Sequence, residues 1–400
     1  MTVPPNPAAK RPDPSVGALR SPTRTVRLFT PDRPFVPDIG AELPEVDVAY
    51  ETYGELSEDR DNAIFICHAL TGDAHAAGWH EGDRRPGWWD TMIGPGKPID
   101  TDRFFVISAN LLGGCSGTTG PASINPNTGQ AWGLDFPLVQ MKDLVKVHRA
   151  LMHHLGIERL RAVVGGSLGG MQALEWSLSH PEEIANAIVI ASSSRLTAQN
   201  IAFSAVARSA IMRDSHFHDG QYAAAGTAPR LGLSIARMMA HITYLSVQAM
   251  DEKFGRRWQS QPTYGFGADF QVESYLNHQG SVFLDRFDAL SYLYLTRSMD
   301  YFDPFAEPAW QQRVDRITRF LVLSFDSDWR FDTTHSERIV RKLEHAQAPV
   351  TFREISSPAG HDAFLLEVPE YHRTVRAFLG RAMELDLHTG QTSGKTGSAR

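Results

Sequence analysis

Residues 161–181, RAVVGGSLGGMQALEWSLSHP, hold an uninterrupted apolar run, a serine set among glycines and a helical pattern, in that order. A run without polar alternation suits a strand buried on both faces. The G-x-S-x-G at Gly165-Gly166-Ser167-Leu168-Gly169 must then turn from strand to helix within a few residues, and only small neighbours leave room for that. A chain built around such a turn is restricted to an α/β architecture. The turn also places the Ser167 hydroxyl at a helix N-terminus, where backbone N–H groups can stabilise an oxyanion.

The rest of the chain repeats the rhythm. Further apolar runs stand at 63–70, 104–110, 187–193, 319–328 and 350–357, and helical patterns fill 143–156 and 169–181. VDVAYETYG (46–54) alternates apolar and polar residues, as a half-exposed antiparallel strand does. Strands alternating with helices predict a mostly parallel sheet covered on both faces, the α/β-hydrolase fold. From about 195 to 300 strong helix formers displace the β runs, and we read this as a helical lid inserted above the sheet. Pro-rich residues 1–24 and polar residues 387–400 are expected to be disordered tails around a single domain over 25–386.

Composition removes several function classes. The 400 residues carry 39 Lys and Arg against 46 Asp and Glu, a net charge of −7, which is unsuited to coating nucleic acid. Only Cys67 and Cys115 are present, too few for a disulfide framework or a zinc site, and both read as structural thiols. No stretch of about 18 apolar residues suggests a membrane span, and the N-terminus lacks the apolar core of a signal peptide. The default location is the cytoplasm.

A serine becomes a useful nucleophile only when a base removes its proton. In this fold the acid and then the histidine follow the serine, each after a late strand. His361, in the loop Pro358-Ala359-Gly360-His361-Asp362, is the base in that order. Asp326 and Asp328 both stand at the end of the run at 319–328, just past its buried strand, and Asp328 is preferred because it lies further into the loop. The oxyanion would be held by the backbone N–H of Leu168 and by one from His68-Ala69-Leu70-Thr71-Gly72, for which we favour Leu70. His68 reads as a structural histidine at a strand end.

YETYGEL, CHALTGDAHAAG, PGWWDTMIGPGKPIDT, LLGGCSGTTGPASINP, GGSLGGMQALEW, ARMMAHITYLS, SDWRF and GHDAF together resemble the homoserine O-acyltransferases of methionine biosynthesis, over roughly residues 45 to 380. The resemblance implies Ser167, Asp328 and His361 as the triad, which supports Asp328 over Asp326. It implies Arg237 and Asp362 as the groups that contact homoserine, and Tyr244 as a residue lining the site. Physically, Arg237 can hold a carboxylate and Asp362 an ammonium group. The family reaction is ping-pong: acyl-CoA acylates Ser167, and the homoserine hydroxyl then takes the acyl group. Acyl-CoA is a cosubstrate, and neither a cofactor nor a metal is implied. The resemblance further implies a homodimer, and in some succinyl-using relatives a small methyltransferase-like activating partner.

Arg330, two residues past Asp328, bears on the donor. Succinyl carries an extra carboxylate that must be paired when buried. Succinyl-using relatives tend to carry Arg here and acetyl-using ones an apolar residue, so the resemblance favours succinyl-CoA over acetyl-CoA. The competing reading pairs Arg330 with Asp326 or Asp332. A serine O-acyltransferase, a carboxylic-ester hydrolase and a non-catalytic scaffold of the same fold are the alternative functions.

Overall fold

The apolar runs form the middle of an eight-stranded sheet. In chain order its strands are β1 (Arg24–Phe29), β2 (Val46–Tyr53), β3 (Ala63–Cys67), β6 (Phe105–Ala109), β7 (Ala162–Gly166), β8 (Asn186–Ile190), β9 (Arg319–Phe325) and β10 (Val350–Ile355). A two-residue pair, β4 (Ile93–Gly94) and β5 (Ile99–Asp100), lies apart from it. This is a computed structural model that describes Leu19, residues 21–314 and residues 317–392, with side chains as far as Arg381. The spatial order is β1-β2-β6-β3-β7-β8-β9-β10. β2 runs antiparallel to β1 and β6, and every pairing from β6 to β10 is parallel.

Along β3 the side chains alternate between two cores. Phe65 belongs to the core shared with α1 (Met141–His154), α2 (Leu168–Ser179) and α9 (Thr333–His345). Ile64 and Ile66 join Trp89, Met92 and Tyr371, the last on α10 (Pro369–Thr392). Both faces are therefore dry, which is why the run AIFIC shows no polar alternation.

Between β8 and β9 the chain forms α3 (Ala198–Met212), α4 (Arg230–Tyr244), α5 (Val247–Lys253), α6 (Gln271–Phe283), α7 (Ala289–Tyr301) and the single turn α8 (Trp310–Arg313). α4 packs on α3 and α6, and its C-terminal end meets the loop that carries His361. A Cβ on Gly360 would stand 2.4 Å from the Ser246 nitrogen, and its φ of +71° is open to glycine at little cost. The Trp329 indole N–H also donates to the Leu245 carbonyl, at 2.9 Å. The insertion is thus fastened to the loops at the C-terminal ends of β9 and β10.

Three expectations need correction. β2 is buried along nearly all its length, not half-exposed, because the N-terminal segment and the loop after β3 cover its polar residues. The segment taken as an N-terminal tail is anchored where it is described: Ser21 is buried, the Leu19 carbonyl accepts from the Trp79 amide, and Arg24 already begins β1. At the other end α10 runs on to Thr392, inside the segment expected to be a tail. Residues 1–18, 20 and 393–400 of those two expectations lie outside the described residues. No helix among the described residues is long and apolar enough to cross a membrane.

His68, at the end of β3, and His148, on α1, are buried and held neutral; burial lowers the pKa of each to about 4. The unfolded chain titrates histidine near 6.5. It therefore binds more protons than the folded chain between pH 6.5 and 4, and stability falls as the pH drops through that window. Each ring is expected to cost roughly 3 kcal/mol of stability by pH 4. Melting temperatures from pH 7 to 4 check this, and His148→Gln should flatten the fall.

Candidate active site

The strand–helix turn at Ser167 is as tight as its glycines require. Ser167 takes φ 57° and ψ −123°, and its amide donates to the Ile190 carbonyl at 2.9 Å. A Cβ on Gly169 would lie 1.9 Å from the Cys67 carbonyl oxygen, and one on Gly165 would lie 2.1 Å from the Gly169 carbonyl oxygen. The same closeness brings two loops together. β3 and β7 are neighbours with Cys67 opposite Gly165, so the segment after Cys67 emerges beside Ser167.

The histidine arrives from the loop after β10. His361 Nε2 is 2.9 Å from Ser167 Oγ and His361 Nδ1 is 2.6 Å from Asp328 Oδ2. The other carboxylate oxygen of Asp328 accepts from the Arg330 amide at 2.9 Å and the Phe331 amide at 3.0 Å. Asp328 is 2% exposed, so those donors and His361 replace its water. Asp326 points elsewhere: it is exposed and accepts from the Ser357 amide at 3.0 Å. Phe331 meets the His361 ring edge-on at 5.2 Å and Phe364 at 5.6 Å, which fixes the ring plane. With Nδ1–H directed at the carboxylate, Nε2 is free to accept the serine proton.

The loop after β3 is locked by its own histidine. His68 Nδ1 donates to the Ala69 carbonyl at 2.7 Å, and Nε2 accepts from the Leu111 amide at 3.2 Å. The Gln172 side chain donates to the His68 carbonyl at 3.1 Å. His68 thus sets the path of Ala69-Leu70 and stays out of the cavity. Leu70 lines the same cavity as Ser167, and Leu168 opens α2 directly behind it. Among the described residues, no protein acceptor takes up the amide of either Leu70 or Leu168.

The cavity over Ser167 and His361 has a volume of about 540 Å³. Arg237, Asp362 and Tyr244 line it. The Arg237 guanidinium lies 4.6 Å from the centre of the Phe283 ring and 5.7 Å from that of Tyr244, and its buried Nη1 has no hydrogen-bond partner among the described residues. The Asp362 carboxyl is raised above the usual carboxylate range by burial, against the pull of His361 and Arg237. A cation with an unused donor and a carboxyl half-withdrawn from water thus face one space. Such a space suits a ligand carrying both a carboxylate and an ammonium group.

Arg330 is not part of the cavity wall. Its Nη1 donates to Thr243 Oγ1 at 2.8 Å, and its guanidinium is 5.7 Å from the centre of the Tyr244 ring. Among the described residues it makes no ion pair with Asp326 or Asp332; Asp332 instead caps α9 by accepting from the Thr334 amide. Sequence reasoning missed other lining residues: Arg85, Asp73, His241 and Arg286. Arg286 reaches the Thr71 carbonyl at 3.2 Å from the loop before α7. Burial lowers His241 to about 3, so it is neutral near pH 7. Nothing local in the sequence marks these residues, because each is brought in by the lid or by the loop at 73–88.

The model of the α/β-hydrolase fold family matches residues 62–368. A homoserine O-succinyltransferase of Nocardioides sp. is 58% identical over 360 residues, covering 90% of this chain and 98% of that one. A homoserine O-acetyltransferase of Rhodopseudomonas palustris is 52% identical over 366 residues, with 90% and 92% covered. Among solved structures, homoserine O-acetyltransferase from Bacillus anthracis superposes with a TM-score of 0.82 at 27% identity, covering 89% and 97%. Esterase E22 superposes with a TM-score of 0.82 at 29% identity, covering 90% and 100%.

Proposed function

The chain belongs to the homoserine O-acyltransferases of the α/β-hydrolase fold, and from that premise we propose that it transfers a succinyl group from succinyl-CoA to the hydroxyl of L-homoserine through an acyl-Ser167 intermediate. The observation that carries this reading is the pairing, in one cavity, of the Ser167–His361–Asp328 chain with the unused Arg237 donor and the Asp362 carboxyl.

In the first half-reaction Ser167 Oγ attacks the thioester carbonyl while His361 Nε2 takes its proton. The amides of Leu70 and Leu168 hold the oxyanion. Collapse breaks the C–S bond, and the CoA sulfur leaves with the proton from His361. In the second, Arg237 holds the homoserine carboxylate and Asp362 its ammonium group. His361 removes the hydroxyl proton, the homoserine oxygen attacks the acyl carbon, and Ser167 Oγ departs with that proton. The acceptor must outcompete water, and the helical insertion over the site limits water's access.

On this reading Arg330 receives the distal succinyl carboxylate beside Tyr244, exchanging part of its bond to Thr243. A hydrogen bond to a charged group is worth about 1.5–3 kcal/mol. Arg330→Leu is therefore expected to lower kcat/KM for succinyl-CoA roughly 10- to 150-fold, with little change for acetyl-CoA. Equal losses for both donors would remove Arg330 from donor choice. Arg85 and Arg286, on the same cavity, supply positive charge for the phosphates of the CoA moiety.

The decisive assay is CoA release from succinyl-CoA and from acetyl-CoA, each with and without L-homoserine. Release that needs homoserine and is faster with succinyl-CoA is the expected result. Faster acetyl-CoA turnover would place the chain with relatives such as that of R. palustris. Release indifferent to homoserine would favour hydrolysis, the activity named for esterase E22.

We also propose that the chain forms a homodimer through the insertion. Leu231, Ile235 and Ile242 form one exposed apolar stripe on α4, and α3 and α6, the helices α4 packs on, expose Met212 and Val282. Leu231→Asp should convert a sedimenting dimer to a monomer.

A further inference from the structure

A second cluster of reactive side chains lies outside the triad, against the wall of the same cavity. Glu51 stands on β2 with its carboxylate fully buried. Its Oε2 is 3.1 Å from His75 Nδ1 and its Oε1 is 3.1 Å from His80 Nε2. The two imidazole rings lie 3.8 Å apart, 32° from parallel, and one ligand atom from each of the three residues falls within 4.8 Å of the others. We propose that Glu51, His75 and His80 bind a divalent transition-metal ion of the zinc class.

Charge and geometry both support the assignment. One proton on one ring already neutralises the Glu51 carboxylate, and a second charged ring stacked at this distance would be repelled by the first. A divalent ion instead uses both rings in their neutral form. Tetrahedral bonds of 2.0–2.2 Å set ligand atoms about 3.4 Å apart; each imidazole nitrogen already stands 3.1 Å from one of the two Glu51 oxygens, and one atom from each residue lies within 4.8 Å of the others. An outer layer of orienting groups is also in place. Thr23 and the Tyr53 hydroxyl each donate to the Glu51 carboxylate at 2.7 Å. Asp83 Oδ2 stands 3.3 Å from His75 Nε2, a nitrogen that makes no hydrogen bond among the described residues. With Nδ1 on the metal, Nε2–H would turn to Asp83, the carboxylate–histidine–metal arrangement that fixes ring orientation. The Ser21 carbonyl oxygen stands 3.0 Å from His80 Nε2 as a further oxygen beside the three ligands.

Such an ion would join the N-terminal segment, β2 and the loop that supplies Asp73, His75 and Arg85 to the active-site cavity. Its role would be to hold that wall, and acyl transfer itself would not pass through it. Binding converts any His75 imidazolium to the neutral ring and releases that proton.

The test uses the whole chain after treatment with a chelator. Titration with Co2+, followed by its visible absorption, and with Zn2+, followed by calorimetry, should each saturate at one equivalent. Zn2+ should raise the melting temperature. His80→Ala, at a side chain one-third exposed, and His75→Gln should both abolish the equivalent while keeping the far-ultraviolet circular dichroism of the parent. Asp83→Asn should weaken binding roughly 10- to 100-fold. No saturable equivalent in the parent would overturn the proposal. So would binding that survives His80→Ala and His75→Gln, or binding lost instead in His180→Ala, at the surface cluster of His180, Glu182 and Glu183.

Discussion

Ser167→Ala is expected to lower acyl transfer by five to six orders of magnitude, about the loss seen when a triad nucleophile is removed, with no fall in melting temperature. The two effects separate because of what the hydroxyl does. Ser167 holds the turn through its backbone: its amide donates to Ile190, and its carbonyl accepts from the Ser192 hydroxyl at 2.7 Å. Alanine keeps both bonds and meets the same φ of 57° with the same Cβ. Only the bond from Oγ to His361 is lost, and with it the atom that carries the acyl group. Mass spectrometry after mixing with succinyl-CoA should show the acyl adduct in the parent and none in the variant. Asp328→Asn should keep the geometry and still cost about 10⁴-fold, because an amide that donates to Nδ1 stabilises the wrong tautomer of His361. If Ser167→Ala transferred within tenfold of the parent, direct attack of homoserine on the thioester would replace the acyl-enzyme.

Arg237→Gln has the largest expected effect outside the triad, and it falls on one half-reaction. Truncating one member of a buried charge pair costs about 2–5 kcal/mol, so kcat/KM for homoserine should fall roughly 30- to 5,000-fold. The burst of CoA release that reports acylation of Ser167 should persist. Stability should hold or rise, because Arg237 Nη1 is a buried donor without a partner and its removal relieves that cost. Asp362 provides the matching pH signature. Burial raises its pKa, so the carboxylate that holds the ammonium group is lost, as the pH falls, above the range of an ordinary aspartate. Asp362 should therefore add to the acid limb of kcat/KM for homoserine an ionisation above the range of a solvated aspartate, and Asp362→Asn should remove that contribution together with most of the affinity. Loss of the CoA burst in Arg237→Gln would move this arginine from the acceptor to the donor.

The sequence by itself determined what depends on near neighbours. Gly165-Gly166-Ser167-Leu168-Gly169 between an apolar run and a helical pattern is a local statement, since the turn is short and its crowding comes from adjacent glycines. The same holds for the dry strands, whose lack of alternation records burial on both faces, and for the order of serine, acid and histidine along the late strands. What only the tertiary structure decided depends on distant partners. Place in the loop and the resemblance already favour Asp328 over Asp326, but the physical reason is tertiary: Phe331 and Arg330 turn their amides to Asp328 while the Ser357 amide takes Asp326. Arg330 could equally have met an acid beside it, and it meets Thr243 instead because the end of α4 packs over the loop. Arg85, Arg286 and Asp73 reach the cavity from segments far apart in the chain. Glu51, His75 and His80 look like an alternating strand and a loop until the fold closes one over the other. Periodicity records which face of an element is dry; which side chain it meets there is fixed only when long-range packing chooses the neighbour.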